Sequence, residues 1–341
     1  MYDATQIKPY APTPAIETGP TRHPSRAQAY LLFLLVLVLN AIGQTIIAGF
    51  GMPFPIAVTL GEVLFILVPV LLFIQIGNFD LRATLHLNPT TPQMLLLSVL
   101  VALLAWPLAE MLGYVTDLVL SNIGPLPSPV PKPTSDGEAL SYLVVLTVVP
   151  GVCEELLNRG VMQRAFERQG LWRTVFYIAI FFALFHLGLY TLLFTSMLGG
   201  VLAYVVFKTN SIYNSIVCHT AFNGVTATLL VLTYFKQIPD NFESTDWLLP
   251  LAAVTTLLLV TVLYYIGRLT SERKADEPYI APVDNSIVKG RFSFAEMALL
   301  TVIAVIFVMV SLIGEVGTRV VCANPHQYEH IIPNIVQICQ G

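Results

Sequence analysis

Long apolar runs recur along the chain, separated by short polar or proline-containing stretches. Nine hydrophobic segments can be drawn, at 28–50, 54–77, 93–121, 138–160, 172–189, 190–207, 211–235, 247–268 and 293–314. Most are near the roughly 20 residues that cross a bilayer as a helix. Alternation with the period of two that a barrel strand needs is missing. The pattern predicts an all-α polytopic transmembrane bundle of eight to nine spans, because a helix satisfies its own backbone hydrogen bonds in lipid. The count turns on the fifth and sixth segments, which only residues 188–191 separate. A single broken helix there lowers it by one.

The organisation follows from the same pattern. Residues 1–27 are polar, carry prolines at 9, 12, 14, 20 and 24, and read as a disordered cytoplasmic N-terminus. The apolar run after them is longer than a signal-peptide core and reads as a retained anchor. Residues 28–137 hold the N-terminal spans and a loop with prolines at 125, 127, 129, 131 and 133, which predicts an extended outer segment. Residues 138–235 form a central helical core, 236–314 the C-terminal spans, and 315–341 an outer tail. Within the tail, Cys322 and Cys339 are a candidate disulfide, the alternative being two free thiols. There is no internal repeat and no glycine-rich phosphate loop.

Composition sharpens this. Only 11% of residues are charged, against about 25% in a soluble domain, so a soluble fold is excluded and the bilayer is the partner. A net charge of −4 without a basic cluster gives nothing to neutralise phosphates and excludes nucleic acid. Four scattered cysteines are too few for a disulfide framework or a zinc ribbon. Of the seventeen lysines and arginines, all but Lys132, Lys236 and Arg319 fall on one set of connections. By the positive-inside bias this places the N-terminus in the cytoplasm and the C-terminus outside, with an odd number of spans. The acidic connection with Asp240, Glu243 and Asp246 then lies outside. A prokaryotic plasma membrane is the expected location.

Ionisable residues at bilayer depth are costly, so each is a functional candidate. They are Glu62, Glu110, Asp117, Glu154, Glu155, His186, His219 and Glu296. Glu296 is near the cytoplasmic start of its span and Asp117 near an outer end. Glu62 and Glu110 read most simply as interhelical hydrogen-bonding groups. The other four have polar companions at helical spacing. Glu155 and Arg159, Phe182 and His186, and His219 and Asn223 are each four apart, on one helix face. Glu154 points about 100° away from Glu155, so one glutamate can pair with the arginine while the other points elsewhere. A poorly solvated carboxylate suits a general base, and imidazoles can hold a water or donate to negative charge. Singly, each piece reads as a structural pair, a packing histidine or interhelical glue; their clustering argues against that. Cys153 and Cys218 adjoin Glu154 and His219, but neighbours on a helix point apart, and apolar packing is the expected role for both.

The three segments resemble the signature of the type II (Rce1-like) CAAX prenyl protease family, the glutamic intramembrane endopeptidases also called CPBP. Its motifs are EExxxR, FxxxH and HxxxN, matched in order by Glu154, Glu155 and Arg159, then Phe182 and His186, then His219 and Asn223. The resemblance covers about 138–235 and implies peptide-bond hydrolysis in or beside the membrane. It implies Glu154 as general base, His186 as the group that positions the water, and His219 with Asn223 as oxyanion donors. Glu155 and Arg159 support the site. It implies a metal-independent mechanism and no cofactor. The HExxH spacing of zinc proteases is missing, although ligand types alone leave zinc open at Glu154, His186 and His219. The implied substrate is a membrane-associated peptide or protein, prenylated or not. Two other classes compete. One is a non-enzymatic protein such as a bacteriocin self-immunity factor. The other is a proton-coupled transporter using Glu62, Glu110 and the cluster. One difficulty of depth stands: drawn as above, Glu154, His186 and His219 meet only if the fifth span starts later or tilts, or the fourth runs past Arg159. A water-filled cavity open to the cytoplasm is expected around them.

Overall fold

The computed structural model describes residues 22–128, 130–239, 245–273, 293–332 and 335–340. The N-terminal stretch to residue 21, Asp240, Glu243 and the connection 274–292 lie outside them. The described residues form helices α1 (Arg26–Gly49), α2 (Phe54–Ile76), α3 (Pro92–Leu120), α4 (Asp136–Gln169), α5 (Leu171–Phe185), α6 (Leu192–Thr209), α7 (Ile212–Tyr234), α8 (Thr245–Arg273) and α9 (Phe294–Ala323). No strand occurs among them. Eight of these helices are long and apolar enough to cross a membrane, and α5 is a shorter apolar helix of 15 residues.

Local sequence explains the starts. Pro92 opens α3 with its missing N–H in the first turn, and the Thr91 hydroxyl accepts from Met94 N–H at 3.3 Å. Ser135 accepts from Glu138 N–H at 3.2 Å at the head of α4. Ser293 and Glu296 form a reciprocal capping box on α9.

Two boundaries differ from the hydropathy reading. Helix α4 does not stop at 160 but runs to Gln169, through a turn at Leu146 and Thr147 and a π-helical stretch, Leu156–Met162. Polar residues there are buried against other helices, so hydropathy alone ends the segment too soon. Helix α9 likewise continues past 314 to Ala323, and Arg319 and Cys322, assigned to the tail, are on the helix. Gly314, Glu315 and Gly317 look like a stop, but a π-helical stretch, Ser311–Val316, carries the chain through them. Helices α5 and α6 are separate, joined by a turn at 186–191.

The interior has two apolar clusters. The first joins α1, α2, α4, α5 and α9 through Tyr30, Phe33, Ile66, Phe166, Phe181 and Ile303. The second joins α3, α5, α6, α7 and α8 through Trp106, Phe182, Leu202, Phe222 and Leu259. Phe181 and Phe182 thus face opposite clusters, and α5 is the wall between them.

Polar contacts fix the ends. Arg26 and Glu296 pair at 2.7 Å and join the starts of α1 and α9. Asp117 and Arg319 pair at 3.0 Å and join the far ends of α3 and α9. The connection between α2 and α3 is laced to the bundle: Ile212 N–H donates to His86 O at 3.0 Å, Asn88 Nδ2 to Asn210 O at 2.7 Å, and Ser211 Oγ to Asn88 O at 2.7 Å. His86 is fully buried against Glu167 at 2.5 Å. Burial pushes its imidazole below the usual histidine range, and the Glu167 carboxylate opposes that shift.

Cys322 and Cys339 are joined by a disulfide, which ties the segment after α9 back to its last turn. Cys153 and Cys218 are free and buried. A thiol-reactive maleimide should therefore leave the native, unreduced protein unlabelled. Mild reduction should open Cys322 and Cys339 to label, and Cys153 and Cys218 should react only on denaturation. Mass spectrometry of the digested protein reads this, and label on the tail cysteines before reduction would remove the disulfide.

Candidate active site

Helix α4 supplies both glutamates. It continues beyond Glu154 to Gln169, and α5 then climbs back from Leu171 to Phe185 with His186 at its C-cap. Glu154 precedes the end of α4 by as many residues as His186 follows the start of α5, so at 1.5 Å per residue the two lie at one depth. The length of α4 thus removes the difficulty of depth.

Glu155 is fully buried and its Oε1 accepts two hydrogen bonds, from Arg159 NH1 at 2.7 Å and His219 Nδ1 at 2.9 Å. Arg159 is also fully buried. Its NH2 donates to Gly199 O at 3.1 Å, and its guanidinium lies 4.3 Å over the Phe182 ring. That ring is 4.9 Å from the His186 ring and 5.6 Å from the His219 ring, edge to face with both. One aromatic side chain therefore separates and orients the two imidazoles and covers the cation.

Glu154 has a different setting. Its Oε2, like Glu155 Oε2, has no hydrogen-bond partner among the described residues, but it lies 4.0 Å from His186 Nε2. His186 Nδ1 is 2.8 Å from Phe182 O. A carbonyl only accepts, so Nδ1 carries the proton, and in the neutral ring Nε2 presents a lone pair towards Glu154. The His186 side chain is 27% exposed and that of Glu154 9%, whereas Glu155 and Arg159 are sealed. Glu62 of α2 comes close enough to Glu154 and Cys153 to interact electrostatically with both. Glu110 is half-buried on α3, and Asn223 half-buried one turn beyond His219 on α7. Cys153 packs in the first cluster and Cys218 in the second. No group of three His, Cys, Asp or Glu side chains among the described residues is arranged to hold a metal ion.

Close helix approach makes these contacts reachable. A Cβ on Gly151 would meet Thr220 Oγ1 at 2.4 Å, and one on Gly199 would meet Phe182 Cβ at 2.8 Å. The first glycine brings α4 against α7, and the second brings α6 against α5 and frees its carbonyl for Arg159. Asn158 Nδ2 donates to Glu154 O at 3.0 Å, which satisfies a carbonyl where the α-helical ladder gives way to the π-helical stretch. Motif spacing did not reveal these supporting residues. The one available signal was the Gly199-Gly200 pair within an apolar segment.

Residues 136–225 match the family described as Rce1-like, type II CAAX prenyl endopeptidase, and that stretch contains all seven motif residues. No curated protein and no solved structure matches the chain.

Removing Arg159 would take the guanidinium from the buried Glu155 carboxylate and leave its Oε1 only the His219 Nδ1 bond. Arg159→Ala should destabilise the fold by about 3–5 kcal/mol, read as a lowered Tm and an aggregated elution profile in detergent. Retention of the wild-type Tm would show that the pair does not hold the helices together.

Proposed function

We propose that this chain, whose residues 136–225 match the Rce1-like family of type II CAAX prenyl endopeptidases, is an intramembrane endopeptidase. The observation that carries the reading is the facing pair Glu154 and His186, with an unpartnered carboxylate oxygen 4.0 Å from an imidazole lone pair. A water hydrogen-bonded to both at about 2.8 Å fits that separation. It donates one hydrogen to the Glu154 carboxylate and the other to His186 Nε2, and directs its oxygen lone pair at a peptide carbonyl.

The reaction then runs as base-assisted hydrolysis. The water oxygen bonds to the carbonyl carbon, and Glu154 takes the proton. The carbonyl oxygen becomes an oxyanion. His219, held by its Nδ1–H to Glu155, donates from Nε2 as an imidazolium, and the Asn223 amide donates one turn on. Glu154 returns its proton to the leaving nitrogen, and the C–N bond breaks. Glu155 and Arg159 do not touch substrate; they hold His219 and Phe182. No metal takes part in these steps.

The substrate class we assign is a membrane-associated peptide or protein, with a prenylated C-terminal CAAX segment as the first candidate. We place the site on the cytoplasmic side of a multi-pass membrane protein. The helix ends with Arg26, Arg164 and Arg173 carry positive charge, which the positive-inside bias assigns to the cytoplasm.

Purified protein should cleave a farnesylated CAAX reporter with or without a chelator. Glu154→Ala should lower kcat by about 100-fold or more, and His186→Ala by about 10–100-fold, at unchanged Tm. Chelator-sensitive cleavage restored by zinc would keep the peptidase and overturn the metal-free mechanism. A folded wild type that cleaves neither prenylated nor unprenylated membrane peptides would favour a non-enzymatic role.

A further inference from the structure

The turn after His186 is held by a helix outside the matched stretch. Leu187, the next residue, has φ +53°, a left-handed conformation that a residue with a β-carbon resists. Its carbonyl accepts from Ser311 Oγ at 3.2 Å. Leu189 N–H donates to Glu315 Oε2 at 2.6 Å, and Tyr190 N–H lies 3.1 Å from Oε1 and 3.0 Å from Oε2. Ser311 and Glu315 are both on the π-helical stretch of α9. Glu315 is itself tied down by Arg319 Nε at 3.4 Å. The fully buried Arg319 also bonds Asp117 at 3.0 Å and Gly124 O at 2.9 Å.

We propose that Glu315 and Ser311 are positioning residues for His186, holding the turn 187–190 in the conformation that aims the imidazole at Glu154. This rests on the reading of Glu154 and His186 as the water-activating pair. The chemistry suits a carboxylate, which accepts from two adjacent amides at once. A glutamine of the same shape turns an NH2 towards at least one of them and loses the charge opposite Arg319. A side chain that only neutralised Arg319 would not need both oxygens on the turn.

The test uses the full-length protein with Glu315→Gln, Ser311→Ala, His186→Ala and the Glu315→Gln/His186→Ala double variant. Hydrogen exchange of the 187–191 backbone should quicken in Glu315→Gln. Modification of His186 by diethyl pyrocarbonate should change by about 3-fold or more, with exposed His326 as internal control. On the farnesylated reporter, kcat should fall by about 10-fold, and by no more than in His186→Ala, with KM within about 2-fold of wild type. Adding Glu315→Gln to His186→Ala should cost nothing further, because the residue acts through the imidazole. Ser311→Ala, which removes one hydrogen bond, should lower kcat by about 3-fold, and it carries the test if Glu315→Gln does not fold. Unchanged His186 modification, unchanged kcat, or a full additive loss on the His186→Ala background would overturn the proposal. If wild type cleaves no reporter, the endopeptidase reading fails, while exchange and His186 modification still decide whether α9 sets this turn.

Discussion

The fully buried ion pair between Glu155 and Arg159 is the constraint around which the middle of the bundle is built. Taking two charges out of water costs several kcal/mol each unless their hydrogen-bonding capacity is met. Meeting part of it recruits four helices, while Glu155 Oε2 and Arg159 Nε keep no partner among the described residues. Helix α4 brings both charges, α7 brings the His219 N–H, α6 brings the Gly199 carbonyl, and α5 brings the Phe182 ring over the guanidinium. Those helices can meet only where side chains are small, hence the contact of Gly151 with Thr220 and of Gly199 with Phe182. The pair is weak evidence for stability in itself, but it dictates which faces come together.

Two adjacent glutamates have opposite environments for the same geometric reason. A step of about 100° around the helix sends Glu155 into the sealed pair and Glu154 towards a partly exposed histidine. Glu155 has every reason to stay a fixed counter-ion, with two donors on one oxygen. The Glu154 oxygen facing His186 is spared a protein partner and remains available for a water. The Phe182 carbonyl sets the tautomer of His186, and the Phe182 ring keeps the two imidazoles apart. The division of roles therefore comes from helical phase and one aromatic residue.

The last helix adds a second layer. Its start is pinned by Arg26 and Glu296, its end by Arg319 and the disulfide, and its π-helical stretch carries the two side chains that grip the turn beyond His186. A π turn widens the helix by one residue and rotates the turns beyond it. That rotation lets α9 bring Ser311 and Glu315 to one turn and Arg319 to the α3 end. A helix outside the 136–225 stretch thus holds the turn after His186.

Much of this protein was legible in its sequence, because lipid imposes a simple rule. With no water to satisfy backbone groups, apolar runs of sufficient length must be helices, so the fold class and nearly every span follow from hydropathy. Helical period likewise placed Glu155 with Arg159 and sent Glu154 elsewhere. What hydropathy could not see was where polar residues are buried by protein. It therefore ended α4 at 160 and α9 at 314, whereas buried Gln163, Arg164 and Arg319 carry those helices further. The meeting of Glu154 with His186, the approach of Glu62, the bond from His219 to Glu155 and the grip of Glu315 on the 189–190 amides link residues 32 to 126 positions apart. Local periodicity carries no information at those separations; only the packing of one helix on another decides them.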